Sequence, residues 1–392
     1  MQKNLIIAFG GISPEHEVSV LTAIQAASAL ESSNWNLIPL YITKTGRWLT
    51  GLHLLDLESY KELRQAEEKG TPCHFSMTDS AQSELVARPE SWLSRTQHTR
   101  IDALLCAFHG AEGENGSFQG LCETYNIPYT GSGVASSALG MDKRLTKELC
   151  RHHHIPVVDD VHIEEEEWVQ RKQKLLENCE KPGYPLYVKP VTLGSSIGVQ
   201  RVNNRQELTD AVEESFRYDT NLLVEKAVHP LTEINCSVLD GETELKTSVC
   251  EQPLGKEELL SFEDKYMQGD AKGMASASRK IPAPISSEKT ETIQNLSRQI
   301  FKLLGCSGVA RLDFLIHSDT GEIFFNEINT IPGSFSFYLW EASGLHFDRL
   351  LNELIAASLK HHRKKNSRVR SHEVNLLSQK AVKGLKGLKG NK

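Results

Sequence analysis

No stretch of this 392-residue chain comes near the roughly 18 consecutive apolar residues that a membrane-spanning helix needs, which argues against an integral membrane protein. The eight cysteines, at 73, 106, 122, 150, 179, 236, 250 and 306, are scattered without a CxxC pair. Several lie in apolar contexts, such as Cys106 in ALLCAF. They read as reduced core residues of a cytoplasmic protein, not as a disulfide frame or a zinc site. The phosphate-binding order GxxxxGK[ST] is missing and Gly10-Gly11 lacks the GxGxxG spacing, which excludes a Walker loop and a dinucleotide fingerprint. The N-terminus, MQKNLIIAFGG, has too short an apolar run for a signal peptide. It passes straight into a glycine turn and reads as a first β-strand.

What is present is an ordinary soluble composition, 39% hydrophobic and 24% charged, long enough for two or three domains. Charge is spread unevenly. Of the net −7, Lys360 to Lys392 contributes eleven Lys/Arg against the single acid Glu373, so the preceding 359 residues carry −17. An acidic body argues against nucleic acid as the main substrate. The tail ends in KGLKGLKGNK, has no aromatic residue and no sustained apolar face, and is expected to be disordered. A basic tail of this kind can touch nucleic acid or an acidic membrane surface.

Residues 4–10 (NLIIAFG) read as a strand, Glu15 to Leu30 as a helix with Val18, Leu21, Ile24, Ala27 and Leu30 on one stripe, and 37–43 as a second strand. Ser13-Pro14 is the expected helix start, with proline at the first helical position. This β-α-β opening predicts a parallel α/β sheet. Residues 44–100 are polar and irregular, with one helical patch around 55–69, and read as an excursion of the first domain. A buried strand at 101–110 and a short strand and turn at 127–133 follow. The pattern then predicts a helix from Ala135 to His154, an acidic helix over 164–180, a strand at 184–190 and a Gly/Ser loop from Val191 to Gly198. A helix at 205–217 and a strand at 221–228 come next. Residues 231–340 read as β-rich, with a polar stretch at 261–280 that looks mobile.

The densest chemistry lies between Gly308 and Trp340. ARLDFLI and IFFNEIN are short apolar runs joined by Ser318-Asp319-Thr320-Gly321, a hairpin signature. In a strand, residues i and i+2 share a face, so Glu327 and Asn329 project together and pairing can bring Asp313 beside them. Two carboxylates and an amide oxygen form a hard, all-oxygen cluster suited to Mg²⁺. The acids lie inside apolar runs, where unpaired charge is costly, which favours a metal site over a solvated face. Arg311, two residues before Asp313, supplies a fixed cation for a reaction that builds negative charge. Gly333, in NTIPGS, is a turn glycine whose N–H is a candidate oxyanion donor.

Three lysines stand out: Lys143 in GMDK, Lys189 in YVKP and Lys265 in FEDKY. A lone lysine is usually a solvated charge. Lys189 differs, because it ends a strand of Tyr, Leu, Tyr and Val and precedes a loop, Thr192 to Gly198, able to wrap phosphates with backbone N–H groups. A glycine loop, a buried-strand lysine and a downstream acidic cluster together point to a nucleoside triphosphate site.

In order and spacing, the blocks GGISPEHEVS (10–19), HGAEGENGSFQG (109–120), PYTGSGVASSALGMDK (128–143), VKPVTLGSSIGV (188–199), EDKY (263–266) and ARLDF…NEINTIPG (310–333) resemble the D-alanine–D-alanine ligase family of the ATP-grasp superfamily. The resemblance runs from Lys3 to about Leu359. It implies an ATP-grasp fold, mixed α/β and α+β. Its N-terminal parallel α/β domain would be 1–134. Two α+β halves, 135–229 and 230–360, would clamp ATP, and 361–392 would form a basic tail.

The resemblance also implies roles. Lys143, Lys189, the loop serines Ser195 and Ser196, and Lys265 would hold the ATP phosphates. Glu225, Lys226 and Val228 match the hinge that contacts adenine, and Glu233 the ribose-binding acid. Asp313, Glu327 and Asn329 would hold two Mg²⁺ ions, with Mn²⁺ as a substitute. Glu15 matches the acid that receives the first substrate's ammonium group, tied by hydrogen bonds to Ser195 and Tyr266, with His109 and Glu114 supporting that pocket. Arg311 and the N–H of Gly333 would stabilise an oxyanion, and a loop over 257–280 would close the site. The partners implied are D-alanine and ATP, with the chain itself a homodimer. The activity implied is ATP-dependent joining of two D-alanines for peptidoglycan. A carboxylate acylates poorly until it is phosphorylated, a step that needs charge spread over metals and lysines. The acyl phosphate must then meet an amine before water does.

One position departs from the family. Five residues past Gly333, where the family has a serine for the second substrate's carboxylate, stands Tyr338. Ser334 or Ser336 could substitute, or Tyr338 could donate its hydroxyl. A related carboxylate–amine ligase with another second amino acid or amine is therefore the nearest rival reading. A nucleotide-binding protein without turnover is the rival from another class, and the intact Glu15, Arg311, Asp313, Glu327 and Asn329 set argues against it.

Overall fold

The computed structural model describes residues 2–80, 82–89, 95–241, 244–254 and 278–369. Its strands form three sheets. The first contains β1 (Lys3–Gly10), β2 (Trp35–Ile42), β3 (Trp48–Thr50), β4 (Thr71–Met77), β5 (Ser83–Ala87), β6 (Gln97–Arg100) and β7 (Ala103–Cys106), in the order β6-β5-β4-β3-β2-β1-β7. Leu5 to Phe9 are completely buried, as expected of a central parallel strand covered on both faces. β1 pairs in parallel with both β2 and β7, and the helix His16–Ala29 makes the crossover. The helix begins later than the sequence suggested. Glu15 is its N-cap and Pro14 lies outside, because the Ser13 hydroxyl accepts the Glu15 N–H at 3.1 Å and holds a turn there.

Residues 44–100 are not irregular: they supply β3 to β6, which continue the sheet antiparallel. In β4, Cys73 and Phe75 are buried while His74 and Met77 are exposed, so only alternate residues carry an apolar signal. The strand expected at 101–110 shortens to Ala103–Cys106. The chain at 127–133 adds only one parallel bridge, Leu104 to Tyr129. The single helix expected over 135–154 is two, Val134–Met141 and Lys143–His152. Asp142 breaks it with an extended backbone and caps the second helix by accepting the Leu145 N–H at 2.8 Å.

The second sheet, β8 (Asp160–Glu164), β9 (Leu186–Pro190), β10 (Gln200–Val202) and β11 (Asn221–Lys226), has the order β10-β9-β11-β8 and is antiparallel throughout. Its core joins Leu186, Val188 and Leu222 to Trp168, Leu176, Leu208 and Val212 of the helices Glu165–Cys179 and Arg205–Ser215.

The third sheet, β12 (Leu231–Asp240), β13 (Leu245–Pro253), β14 (Arg279–Lys280), β15 (Val309–His317) and β16 (Ile323–Asn329), has the order β14-β13-β12-β15-β16. The region read as β-rich also contains a helix, Ser287–Leu303. It is mostly polar, and its buried Ile293, Ile300 and Phe301 recur at helical spacing on one face. That face covers Ile234, Cys236, Val238, Ala310, Leu312 and Phe314 of the sheet. The odd-numbered neighbours Asn235, Arg311 and Asp313 consequently face the other way. The stretch expected to be mobile, 261–280, lies outside the described residues up to 277, and its end forms β14.

The last helix, Phe347–Asn366, runs past residue 360, where the sequence suggested that the tail begins. No breaker interrupts it before Ser367, and Arg and Lys propagate helix well. Its buried Leu350, Leu351, Leu354 and Ile355 belong to the core of the first sheet, together with Leu5, Ile7 and Leu104. The KGLKGLKGNK repeat lies outside the described residues. All eight cysteines are buried free thiols. Among the described residues no helix is long and apolar enough to cross a membrane.

Candidate active site

β15 and β16 pair as the hairpin signature predicts, Arg311 opposite Asn329 and Asp313 opposite Glu327. All four side chains therefore share one face. Arg311 grips both oxygens of Asp313, Nε to Oδ1 at 2.7 Å and an Nη to Oδ2 at 2.8 Å, with both residues buried. Burial alone would disfavour the Arg311 charge. Asp313 outweighs it and keeps Arg311 a permanent cation. Asn329 Nδ2 donates to Asp313 Oδ2 at 3.2 Å, which leaves the amide oxygen of Asn329 available as a ligand. Among the described residues no group of three or more His, Cys, Asp or Glu side chains could hold a metal. The set here is two carboxylates and an amide. That fits Mg²⁺, which binds few protein carboxylates and completes its shell with water and phosphate oxygens.

A bulge separates Asp313 and Phe314 from their partners: Asp313 faces Glu327, Phe314 faces Phe325, and Asn326 is the extra residue. Bulges re-aim side chains, and here the side-chain Oδ1 of Asn326 accepts from Lys189 Nζ at 3.2 Å, tying the third sheet to the second. Lys189 Nζ also donates to Glu225 Oε2 at 2.7 Å, and the other Glu225 oxygen takes Lys147 Nζ. Burial alone would raise the Glu225 carboxyl. The two ammonium groups hold it down at about 2. Glu225, matched to an adenine-contacting segment, thus uses its carboxylate as counterion to two lysines. Lys143 Nζ lies 3.4 Å from Glu327 Oε2 and donates to the Leu193 carbonyl, which places it between the acidic hairpin and the glycine loop. Lys226 donates to the carbonyls of Gly183 and Tyr184, at 2.9 and 3.1 Å. Val228 is half-buried just past β11, and Glu233 is half-buried on β12 opposite Leu315.

On the opposite side of the cleft, Glu15 accepts a hydrogen bond from Ser195, 180 residues away. Ser195 and Ser196 both have left-handed backbones, at φ 53 and 59. Gly110 is there for space as well as conformation. At φ +67, a Cβ would stand 2.6 Å from Glu15 Oε2. Glu114 is buried and accepts the N–H groups of Gly110 (3.0 Å) and Ile331 (3.1 Å). Burial, with the Glu15 charge nearby, raises its carboxyl to about 7. His109 is driven by burial to about 3 and stays neutral. Its Nε2 meets the Thr22 hydroxyl at 2.8 Å, and that hydroxyl accepts the Ser334 N–H at 3.1 Å. Glu15, His109, Glu114, Lys143, Ser195, Arg311, Glu327, Asn329 and Gly333 line one cleft.

Beyond Gly333 the chain takes three successive left-handed residues, Ser334, Phe335 and Ser336, at φ 51, 54 and 51. Ser336 is completely buried and its hydroxyl has no hydrogen-bond partner among the described residues. Tyr338 donates to Glu251 Oε1 at 3.0 Å, and burial pushes its hydroxyl up to about 12, so it remains a proton donor. Arg279 stacks 3.8 Å above the Tyr338 ring and pairs with Glu251 at 2.8 Å. Glu251 lies opposite Asn235, and Asn235 opposite Asp313, so a polar row crosses four strands from Glu251 to Glu327. Lys265 and Tyr266 fall outside the described residues.

Lys147, Asn326 and Glu251 were not singled out from the sequence. Lys147 left a signal: four residues past Lys143, it lies on the same side of one helix. Asn326 left none, because a bulge has no sequence signature here. Glu251 sits in a polar strand like many others.

A family model described as D-ala D-ala ligase N-terminus matches residues 4–132, and one described as D-ala D-ala ligase C-terminus matches 149–356. The D-alanine–D-alanine ligase of Thermosipho melanesiensis is 38% identical over 383 residues, covering 97% of this chain and 99% of its own. That of Caldicellulosiruptor bescii is 35% identical, covering 92% and 96%. Among solved structures, the D-alanine–D-alanine ligase from Coxiella burnetii superposes with a TM-score of 0.78 at 30% identity, covering 96% of this chain and all of the other. The VanG D-Ala:D-Ser ligase from Enterococcus faecalis gives 0.76 at 30% identity, covering 91% and 100%. The matched segments span the three sheets and the cleft between them, and the chain belongs to the D-alanine–D-alanine ligase family.

Proposed function

We propose that this protein is a cytoplasmic, Mg-ATP-dependent ligase that joins two D-alanines into the dipeptide for peptidoglycan precursors, working as a homodimer. Residues 1–134 would carry the first substrate, and 135–229 and 230–360 would enclose ATP. The observation that carries this reading is the convergence on one cleft of a carboxylate suited to an ammonium group (Glu15), a phosphate-seeking lysine (Lys143), Arg311 and Glu327, with Asp313 gripped by Arg311 and Lys189 tied to Asn326 beside Glu327. Glu15, held by Ser195, receives the ammonium of the first D-alanine. The carboxylate of that D-alanine attacks the γ-phosphoryl group of ATP, forming an acyl phosphate and releasing ADP. Lys143 and Lys189 spread the transferred charge. The amine of the second D-alanine attacks the acyl carbon, Arg311 and the Gly333 N–H stabilise the oxyanion, and phosphate leaves. Mg²⁺ held by Asp313, Glu327 and Asn329 would neutralise phosphate charge.

The test is purified protein with D-alanine, ATP and Mg²⁺, read by phosphate release and by mass spectrometry of the product. Stoichiometric phosphate and D-alanyl-D-alanine are expected. No dipeptide from D-alanine, with a different pair of amines reacting, would move the protein to a second reading: a ligase with another second substrate. Tyr338 favours keeping that reading, because it stands at the family's serine position and spends its hydroxyl on Glu251. One structural relative is named for a D-Ala:D-Ser activity. A panel of D-amino and D-hydroxy acids offered with D-alanine separates the two.

A further inference from the structure

Lys147 has no part in the family blocks, yet it is a cation at 1% exposure in the middle of the nucleotide half. Its ammonium donates to one oxygen of Glu225, itself 1% exposed, and Lys189 occupies the other. Arg151 pairs with Asp160, the next carboxylate along, so Lys147 and Glu225 are each other's principal partners. The two lysines differ in where else they can go. Lys189 is 7% exposed and also reaches Asn326, the bulged residue beside Glu327, at 3.2 Å. Lys147 is sealed beneath it.

We propose that Lys147 is a positioning residue: it is the permanent counterion of Glu225 and thereby frees Lys189 to engage the phosphates of ATP. This rests on the nucleotide-site reading above. If Lys189 turned from Glu225 toward a phosphate and Glu225 had no second cation, a bare carboxylate would stay buried, and its desolvation would be subtracted from nucleotide affinity. With Lys147 in place Glu225 stays neutralised throughout. The triad of two lysines and one carboxylate carries a net positive charge into which an anion fits.

The experiment measures binding of the β,γ-imido analogue of ATP with Mg²⁺, and of adenosine, to the full chain by calorimetry, with circular dichroism to check folding. Lys147→Met is expected to weaken the analogue about tenfold or more, with adenosine unchanged, because Glu225 then traps Lys189. Lys147→Met/Glu225→Gln leaves no buried carboxylate to trap Lys189, and is expected to bind the analogue within about threefold of Glu225→Gln alone, the reference that shares any lost adenine contact. A Lys147→Met variant that binds the analogue like wild type, or a double variant more than about threefold weaker than Glu225→Gln alone, overturns the proposal. So does a parallel loss of adenosine binding, the mark of a merely structural role. If Lys147→Met does not fold, the double variant decides by the same threshold. A wild-type protein that binds no analogue overturns the nucleotide site itself, a failure distinct from all of these.

Discussion

At the scale of single residues, the carboxylates of the cleft divide by environment. Asp313 is locked to Arg311, Glu225 lies between two lysines, and Glu114 accepts from backbone N–H groups and the Thr330 hydroxyl beside a neighbouring anion. An ammonium group arriving at Glu15 cancels the charge that, after burial, does most to raise Glu114. If Glu15 receives the ammonium group of D-alanine as proposed, the Glu114 carboxyl, raised to about 7, falls on binding. D-alanine binding is expected to release a proton below about pH 7 and to tighten as the pH rises toward about 7, levelling off above it. Calorimetric titrations in two buffers of different protonation enthalpy measure this, and identical heats in both would exclude it. Glu327→Gln removes one of the two charges proposed to hold Mg²⁺ while keeping shape. Turnover should drop about 10²-fold or more with the melting temperature retained. Near-normal turnover at saturating Mg²⁺ would sink the metal assignment. Both acids were legible in the sequence, because charges inside apolar strands are costly without a purpose. Lys147 and Glu251 were not, because only the folded chain reveals that they are buried.

At the scale of elements, the hairpin was the clearest feature of the sequence. Strand periodicity and turn chemistry both specify it, and the pairing follows them. The polar strands β3 to β6 and the helix Ser287–Leu303 were missed for one reason. Each buries only a narrow apolar face, so tertiary packing and not composition fixes its state. The turn Gly333–Ser336 was legible as a turn, but not as three left-handed residues in succession without glycine. Each costs about 1 kcal/mol or more of backbone strain. Ser334→Gly is expected to stabilise the fold by about 1 kcal/mol, read by scanning calorimetry. It is also expected to slow turnover, because the N–H groups of this turn lose their fixed direction. A lower melting temperature would mean that the Ser334 side chain contributes more than its strain costs.

At the scale of the whole molecule, the two ends of the chain share one core. Leu350, Leu351, Leu354 and Ile355 pack with residues of the first sheet, so the first domain is not closed by its own segment. A chain ending at Val369 is expected to keep activity and melting temperature, since KGLKGLKGNK and the residues before it lack a core-forming pattern. A chain ending at Leu345 is expected to be insoluble or molten, having lost four buried aliphatic side chains worth roughly 1.5–3 kcal/mol each. Activity and thermal melts of the two truncations decide, and a stable, active shorter chain would refute the shared core. The arrangement matters from the moment of synthesis. Residues 3–106 emerge from the ribosome about 240 residues before the helix Phe347–Asn366 begins, and their apolar surface waits for it. At roughly 5–20 residues per second that delay is tens of seconds, during which the nascent sheet is a natural client for chaperones.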